Sequence, residues 1–131
     1  MKMPGKNMDN NKILVLENDH KCSSLISGIR QMGKFVFCSD SSEFKNKLDE
    51  SFIAVMIDSM LHTKDNGIQL LRDLKADHRF SRIPAILITD DSPFFSSDVY
   101  KKFGADFILF KPLTEQKIMR TLKSILLLKA A

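Results

Sequence analysis

Five short apolar runs, at 13–16, 35–38, 52–57, 84–88 and 107–110, constrain this chain more than any other feature. Each is apolar at every position, so a strand built from it needs cover on both faces. That is the condition of a parallel sheet wrapped by helices. The stretches between the runs can supply the cover. Cys22, Leu25, Ile26, Ile29 and Met32 recur at helical spacing and would form one apolar stripe. Ile68, Leu71 and Leu74 repeat the pattern, as do Ile118, Leu122, Ile125 and Leu126.

The punctuation agrees. Asp40 and Glu43 have capping-box spacing for a short second helix. Asp19 is placed to cap the first helix, Asn66 the third and Thr114 the fifth, while Gly33 and Gly104 stand where helices should end. Strand then helix, five times over, predicts one α/β domain. With right-handed crossovers it is a doubly wound (βα)5 parallel sheet of flavodoxin-like order 2-1-3-4-5. We read residues 12–128 as this domain and residues 1–11 as a flexible N-terminal tail.

Composition narrows the function classes. A chain of 131 residues suffices for one core and is too short for two. No apolar run reaches the length that crosses a bilayer, and the polar start lacks the apolar centre of a signal peptide. Cys22 and Cys38 show no metal-ligand spacing, which suits a reducing, cytoplasmic setting. Twenty Lys and Arg against sixteen Asp and Glu leave a formal charge of +4. The basic residues are scattered and not interleaved with aromatics, so neither direct nucleic-acid binding nor a membrane surface is expected. His20, His62 and His78 lack partners at ligand spacing and read as surface residues. The methionines read as core filler or tail residues, and Phe94 and Phe95 as core with one ring pointing away from the sheet.

In such a sheet, ligands bind beyond the carboxyl ends of the strands, where the strand order reverses. The residues there are Glu17, Asn18 and Asp19 after the first run, Asp58 after the third, Thr89 and Asp90 after the fourth, and Lys111 after the fifth. Acidic oxygens at this density suit a hard divalent cation such as Mg2+, which keeps several waters and takes one or two carboxylates. A hydroxyl and an ammonium beside them suit the oxygens of a phosphoryl group.

Four segments resemble, in order and spacing, the response-regulator receiver family of two-component signalling. They are ILVLEND at 13–19, VMIDSM at 55–60, IPAILITD at 83–90 and GADFILFKPL at 104–113, within a resemblance that runs from about residue 12 to 128. It implies that Asp58 is the nucleophile that takes a phosphoryl group from a histidine kinase or a histidine phosphotransfer protein. It implies Mg2+ held by Glu17, Asn18, Asp58 and the backbone carbonyl of Met60. Thr89 would bond a phosphoryl oxygen. Lys111 would pair with Asp58 and later with the phosphate, and the Lys111–Pro112 peptide would be cis. The signal would leave through the fourth helix, fifth strand and fifth helix, toward an effector domain, an output protein or a second copy. Such a domain is a signalling phosphoacceptor, not a turnover enzyme, beyond self-phosphotransfer and autodephosphorylation.

Four departures bear on that inheritance. Asn18 stands where a second acid is usual, which removes a charge from the cation site. Asp90 replaces a small residue after Thr89. Ile108 takes the place of a switch aromatic, with Phe107 and Leu109 facing the other way, and its branched side chain offers little repacking. His62 replaces a proline in a loop that is about one residue longer before Asn66 and Gly67. These positions keep a second reading open, a pseudo-receiver that binds its partner without phosphorylation. A phosphatase of similar topology would need an acid at Met60. A flavin binder would need a glycine- and hydroxyl-rich loop where ENDHKC stands at 17–22.

Overall fold

Every apolar run of the sequence becomes a strand in the computed structural model, which describes residues 11–29, 31–61, 66–90 and 97–130. Strands β1 (Lys12–Leu16), β2 (Lys34–Cys38), β3 (Phe52–Asp58), β4 (Ala85–Asp90) and β5 (Phe107–Lys111) alternate with five helices. These are α1 (His20–Ser27), α2 (Ser41–Lys47), α3 (Gly67–Ala76), α4 (Ser97–Lys102) and α5 (Glu115–Ala130). All strand pairs are parallel, in the order β2-β1-β3-β4-β5. That is the order expected from the alternation of runs and stripes.

Strand alternation divides the core in two. Leu14, Leu16, Val55, Ile57 and Leu87 pack with Phe44 of α2, Leu70, Leu71 and Leu74 of α3, and Tyr100 of α4. Ile13, Val15, Ala54, Met56, Ile86 and Ile88 pack with Ile26 of α1 and Ile118, Leu122 and Ile125 of α5. The central strand β3 is buried at all seven positions. Each large aliphatic side chain sealed in these layers contributes about 1.5–3 kcal/mol relative to exposure. Phe107 and Leu109 face the α1–α5 layer while Ile108 and Phe110 face the other, as strand alternation predicts.

The caps sit where expected. Asp19 Oδ1 accepts the Lys21 N–H at 2.9 Å, Asn66 Oδ1 those of Ile68 and Gln69 at 2.9 and 3.2 Å, and Thr114 Oγ1 that of Lys117 at 3.1 Å. At α2, Asp40 Oδ1 accepts the Glu43 N–H at 2.7 Å, and Glu43 Oε1 reaches back to the Ser39 N–H at 2.8 Å. Each bond satisfies a donor that has no partner inside a helix.

One expected boundary moves. Helix α1 ends at Ser27 with Gly28 as its C-cap, not at Gly33, although Ile29 and Met32 remain buried beyond it. Gly33 serves the next turn instead. Its φ is +150°, and a Cβ there would lie 2.3 Å from the carbonyl oxygen of Asn11. That carbonyl accepts the Lys34 N–H at 2.8 Å, so Asn11, expected at the end of the tail, is held at the start of β2. Residues 1–10, His62, Phe94 and Phe95 lie outside the described residues. His20 and His78 are exposed.

The run Gly104-Ala105-Asp106 is a joint between layers. Gly104 has φ +117°, and a Cβ there would meet Lys75 Cγ at 2.7 Å. Asp106 Oδ2 accepts the Ala85 N–H at 2.8 Å and the Lys75 ammonium at 2.6 Å. Lys75 also donates to the carbonyls of Ser81 and Ile83 at 3.1 and 2.9 Å, tying α3 to the entries of β4 and β5. Met60 is no core filler, being 71% exposed, whereas Met32 and Met56 are buried. Among the described residues, no helix is long and apolar enough to cross a membrane.

Candidate functional site

The carboxyl ends of β1, β3 and β5 bring three charged side chains to one crevice, on the edge where the strand order reverses. Asp58 is the last residue of β3 and 1% exposed, and Glu17, just past β1, is 5% exposed. Lys111 ends β5 and reaches inward, placing Nζ 2.8 Å from Asp58 Oδ2 and 3.7 Å from Asp19 Oδ2. The peptide that follows, Lys111–Pro112, is cis, as expected.

The backbone anchors one oxygen of each buried carboxylate. Asp58 Oδ1 accepts the Met60 N–H at 2.8 Å, and Glu17 Oε1 accepts the Asp19 N–H at 2.8 Å. The other two oxygens, Asp58 Oδ2 and Glu17 Oε2, are buried with no hydrogen-bond partner. Lys111 holds Asp58 Oδ2 through the ion pair at 2.8 Å. Burial, followed by the adjoining Asp58 carboxyl, pushes the Glu17 carboxyl up to about 8. Burial alone would lower the Lys111 ammonium, but the Asp58 contact outweighs it and the net shift is upward. Burial, then the charges of Glu17 and Asp19, pushes the nearby Cys22 thiol up to about 12, which leaves it unreactive.

Two buried carboxylate oxygens, Asp58 Oδ2 against one ammonium and Glu17 Oε2 without a hydrogen bond, are the donors a hard dication takes, and one ammonium does not neutralise both acids. The residues fit Mg2+ on that ground. Glu17 and Asp58 offer carboxylates, while Asn18, half-buried between Glu17 and Asp19, could add an amide oxygen and Met60 a carbonyl. Asp19 is engaged elsewhere, capping α1 and leaning toward Lys111. Among the described residues, no three acidic, His or Cys side chains group as an ion site.

Thr89 does not join this cluster. It is 4% exposed and its hydroxyl accepts from Ser59 Oγ at 2.8 Å, lies 3.4 Å from the Tyr100 hydroxyl, and contacts the Asp90 carbonyl at 3.5 Å. Alternation is the reason. Thr89 faces with Leu87 toward the layer under α3 and α4, whereas Asp58 has the parity of Met56. Asp90 is exposed at the strand end. Ser59, Gly67 and Tyr100 are the site neighbours that sequence reasoning missed. Only Gly67 carried a signal, standing just after the capping Asn66; nothing in the sequence links Tyr100 to Thr89.

A doubly wound parallel sheet with an acid pair and a lysine at its switch point defines a receiver-type signalling domain. No family model matches the chain. It is 28% identical over 118 residues to the transcriptional regulatory protein CpxR of Escherichia coli, covering 88% of this chain and 49% of that protein. The chain spans about half the length of the curated relatives it matches. Among solved structures, the response regulator DrrB of Thermotoga maritima matches with TM-score 0.78 and 25% identity, over 91% of this chain and 54% of that one. The receiver domain of the sensor histidine kinase PA1611 of Pseudomonas aeruginosa, with magnesium in its active-site cleft, matches with TM-score 0.72 and 18% identity, over 87% and 95% of the two chains. The chain is similar to response-regulator receiver domains, the modules of two-component signalling, in sequence and in fold.

Proposed function

We propose that Asp58 accepts a phosphoryl group from the phosphohistidine of a histidine kinase or phosphotransfer protein. One observation carries this reading: a buried carboxylate with one oxygen anchored by the backbone and the other held 2.8 Å from the Lys111 ammonium, beside a second buried acid. Asp58 Oδ2 forms the new bond to phosphorus, the P–N bond breaks, and its electron pair stays on the departing imidazole. Lys111, already 2.8 Å away, then pairs with the added phosphoryl oxygens. Thr89 donates to one of them after turning from its resting partners. When bound, Mg2+ would be held by Glu17, Asp58, the Asn18 amide and the Met60 carbonyl, and would offset the negative charge of the incoming group. The magnesium in the cleft of the PA1611 receiver supports that part of the reading. The product is a signal, not a released compound, so the domain acts as a phosphoacceptor in the cytoplasm. Its output is assigned to the face of α4, β5 and α5, open to an effector or a second copy.

The amide at Asn18 favours a second reading, a pseudo-receiver that binds partners without phosphorylation. One experiment separates them. Acetyl phosphate with Mg2+ should add one phosphoryl mass to the wild type and none to Asp58→Asn. An unlabelled wild type supports the pseudo-receiver. Labelled Asp58→Asn removes Asp58 from the role.

A further inference from the structure

The oxygen assigned to attack phosphorus, Asp58 Oδ2, is the one that the Lys111 ammonium touches at 2.8 Å. That contact has to loosen before the oxygen bonds elsewhere, because the ammonium occupies the same lone pairs. Lys111 keeps only 17% exposure, so an ammonium left there without an anion would be costly. Among the described residues, one other carboxylate forms an ion pair with it: Asp19, whose Oδ2 lies 3.7 Å from Nζ. We infer that Asp19 is a positioning residue for Lys111. It takes up the ammonium when Asp58 Oδ2 is freed and keeps it in the crevice to meet the phosphoryl oxygens. This rests on the reading of Asp58 as phosphoacceptor.

The Asp19 carboxylate is held in place for this. Its Oδ1 accepts the Lys21 N–H at 2.9 Å, which leaves Oδ2 to Lys111. Its own N–H donates to Glu17 Oε1 at 2.8 Å, tying the residue to the acid beside Asp58. The Lys21 N–H, with smaller help from Cys22 and Lys111, holds the Asp19 carboxyl below its ordinary range, so it stays an anion. A charged N–H···O pair closes at about 2.8 Å, so the ammonium has to travel roughly 1 Å, which the flexible stem of lysine allows. Glu17 forms no ion pair with Lys111 among the described contacts, and Asn18 carries no charge. Asp19 thus supplies the anion that Asn18 lacks without leaving its cap. Its side chain is 37% exposed, so its grip is light, and the charged oxygens of a phosphoryl group on Asp58 draw the ammonium back.

Asp19→Asn removes the charge and keeps the cap, since asparagine caps a helix as well as aspartate does. With acetyl phosphate and Mg2+, the full chain should label about two- to fivefold more slowly in Asp19→Asn than in the wild type, the range that a partly exposed ion pair commands. In a Lys111→Met background the same substitution should change nothing, which separates positioning of the ammonium from loss of a cap or of a cation ligand. A second measurement leaves Lys111 in place, and it decides alone if Lys111→Met fails to fold or to label. With Mg2+ and no phosphodonor, the Lys111 ammonium protons should stay visible by NMR in the wild type and vanish into exchange with water in Asp19→Asn. Equal or faster labelling of Asp19→Asn, the same loss in the Lys111→Met background, or ammonium signals alike in both proteins would each overturn the inference and leave Asp58 as acceptor. A wild type that takes no label would overturn both.

Discussion

Gly67 lies against the backbone of Asp58 so closely that a Cβ built on it would fall 1.9 Å from the Asp58 carbonyl oxygen. The contact closes the loop after β3, whose arms meet in a bridge between Met60 and Asn66. It sets the first turn of α3 directly on the strand that carries the acceptor.

Gly67→Ala should therefore disturb Asp58 rather than only the helix. The added methyl forces backbone to move, at a cost of about 1–3 kcal/mol typical of overpacking. Denaturant unfolding would measure the loss, and acetyl-phosphate labelling should slow in parallel. Unchanged stability would mean that α3 slides away without strain.

Stability without Mg2+ should fall as pH rises from about 4.5 toward about 8. The folded state holds the Glu17 proton above the pH at which the unfolded chain releases it. The folded state therefore binds more protons in that window, and unfolding becomes easier as pH increases. Melting temperatures across the window should show the slope in the wild type and lose much of it in Glu17→Gln. Saturating Mg2+ should flatten it by favouring the ionised acid. A flat profile without the cation would mean that Glu17 ionises as it does in water.

Lys111→Met should destabilise the Mg2+-free domain, because two buried acids lose their only close ammonium among the described contacts. The expected loss is roughly 3 kcal/mol, toward the low end for breaking a buried pair since the Lys111 side chain keeps 17% exposure. Added Mg2+ should recover part of it. Equal denaturation curves for variant and wild type would show that the Asp58 charge is solvated in some other way.

Asn18→Asp should tighten Mg2+ binding. A third carboxylate in a partly dehydrated crevice adds Coulomb attraction, and a gain of roughly tenfold corresponds to about 1.4 kcal/mol. Titration followed by amide shifts would give the two dissociation constants. Identical values would place residue 18 away from the cation.

The sequence alone determined the strands, the caps and the edge on which charge gathers. Apolar runs, helical stripes and the capping of Glu43 by Asp40 or Ile68 by Asn66 depend on neighbours within a few positions, so they are legible in one dimension. Even so, α1 stops at Gly28 while its apolar stripe continues through Ile29 and Met32, since burial of those side chains does not require a helix.

Only the tertiary structure decided how the site's groups are paired. The parity of β4 turns Thr89 toward Ser59 and Tyr100 while Lys111 reaches Asp58, and these partners lie far apart in the chain. Crossovers and sheet register bring them together. The close approach of Gly67 to Asp58 and the burial that raises Glu17 likewise arise when α3 and the strands pack, and no local pattern encodes either. Hydrogen-bond partners and desolvation are properties of the assembled edge, which exists only once all five strands are in place.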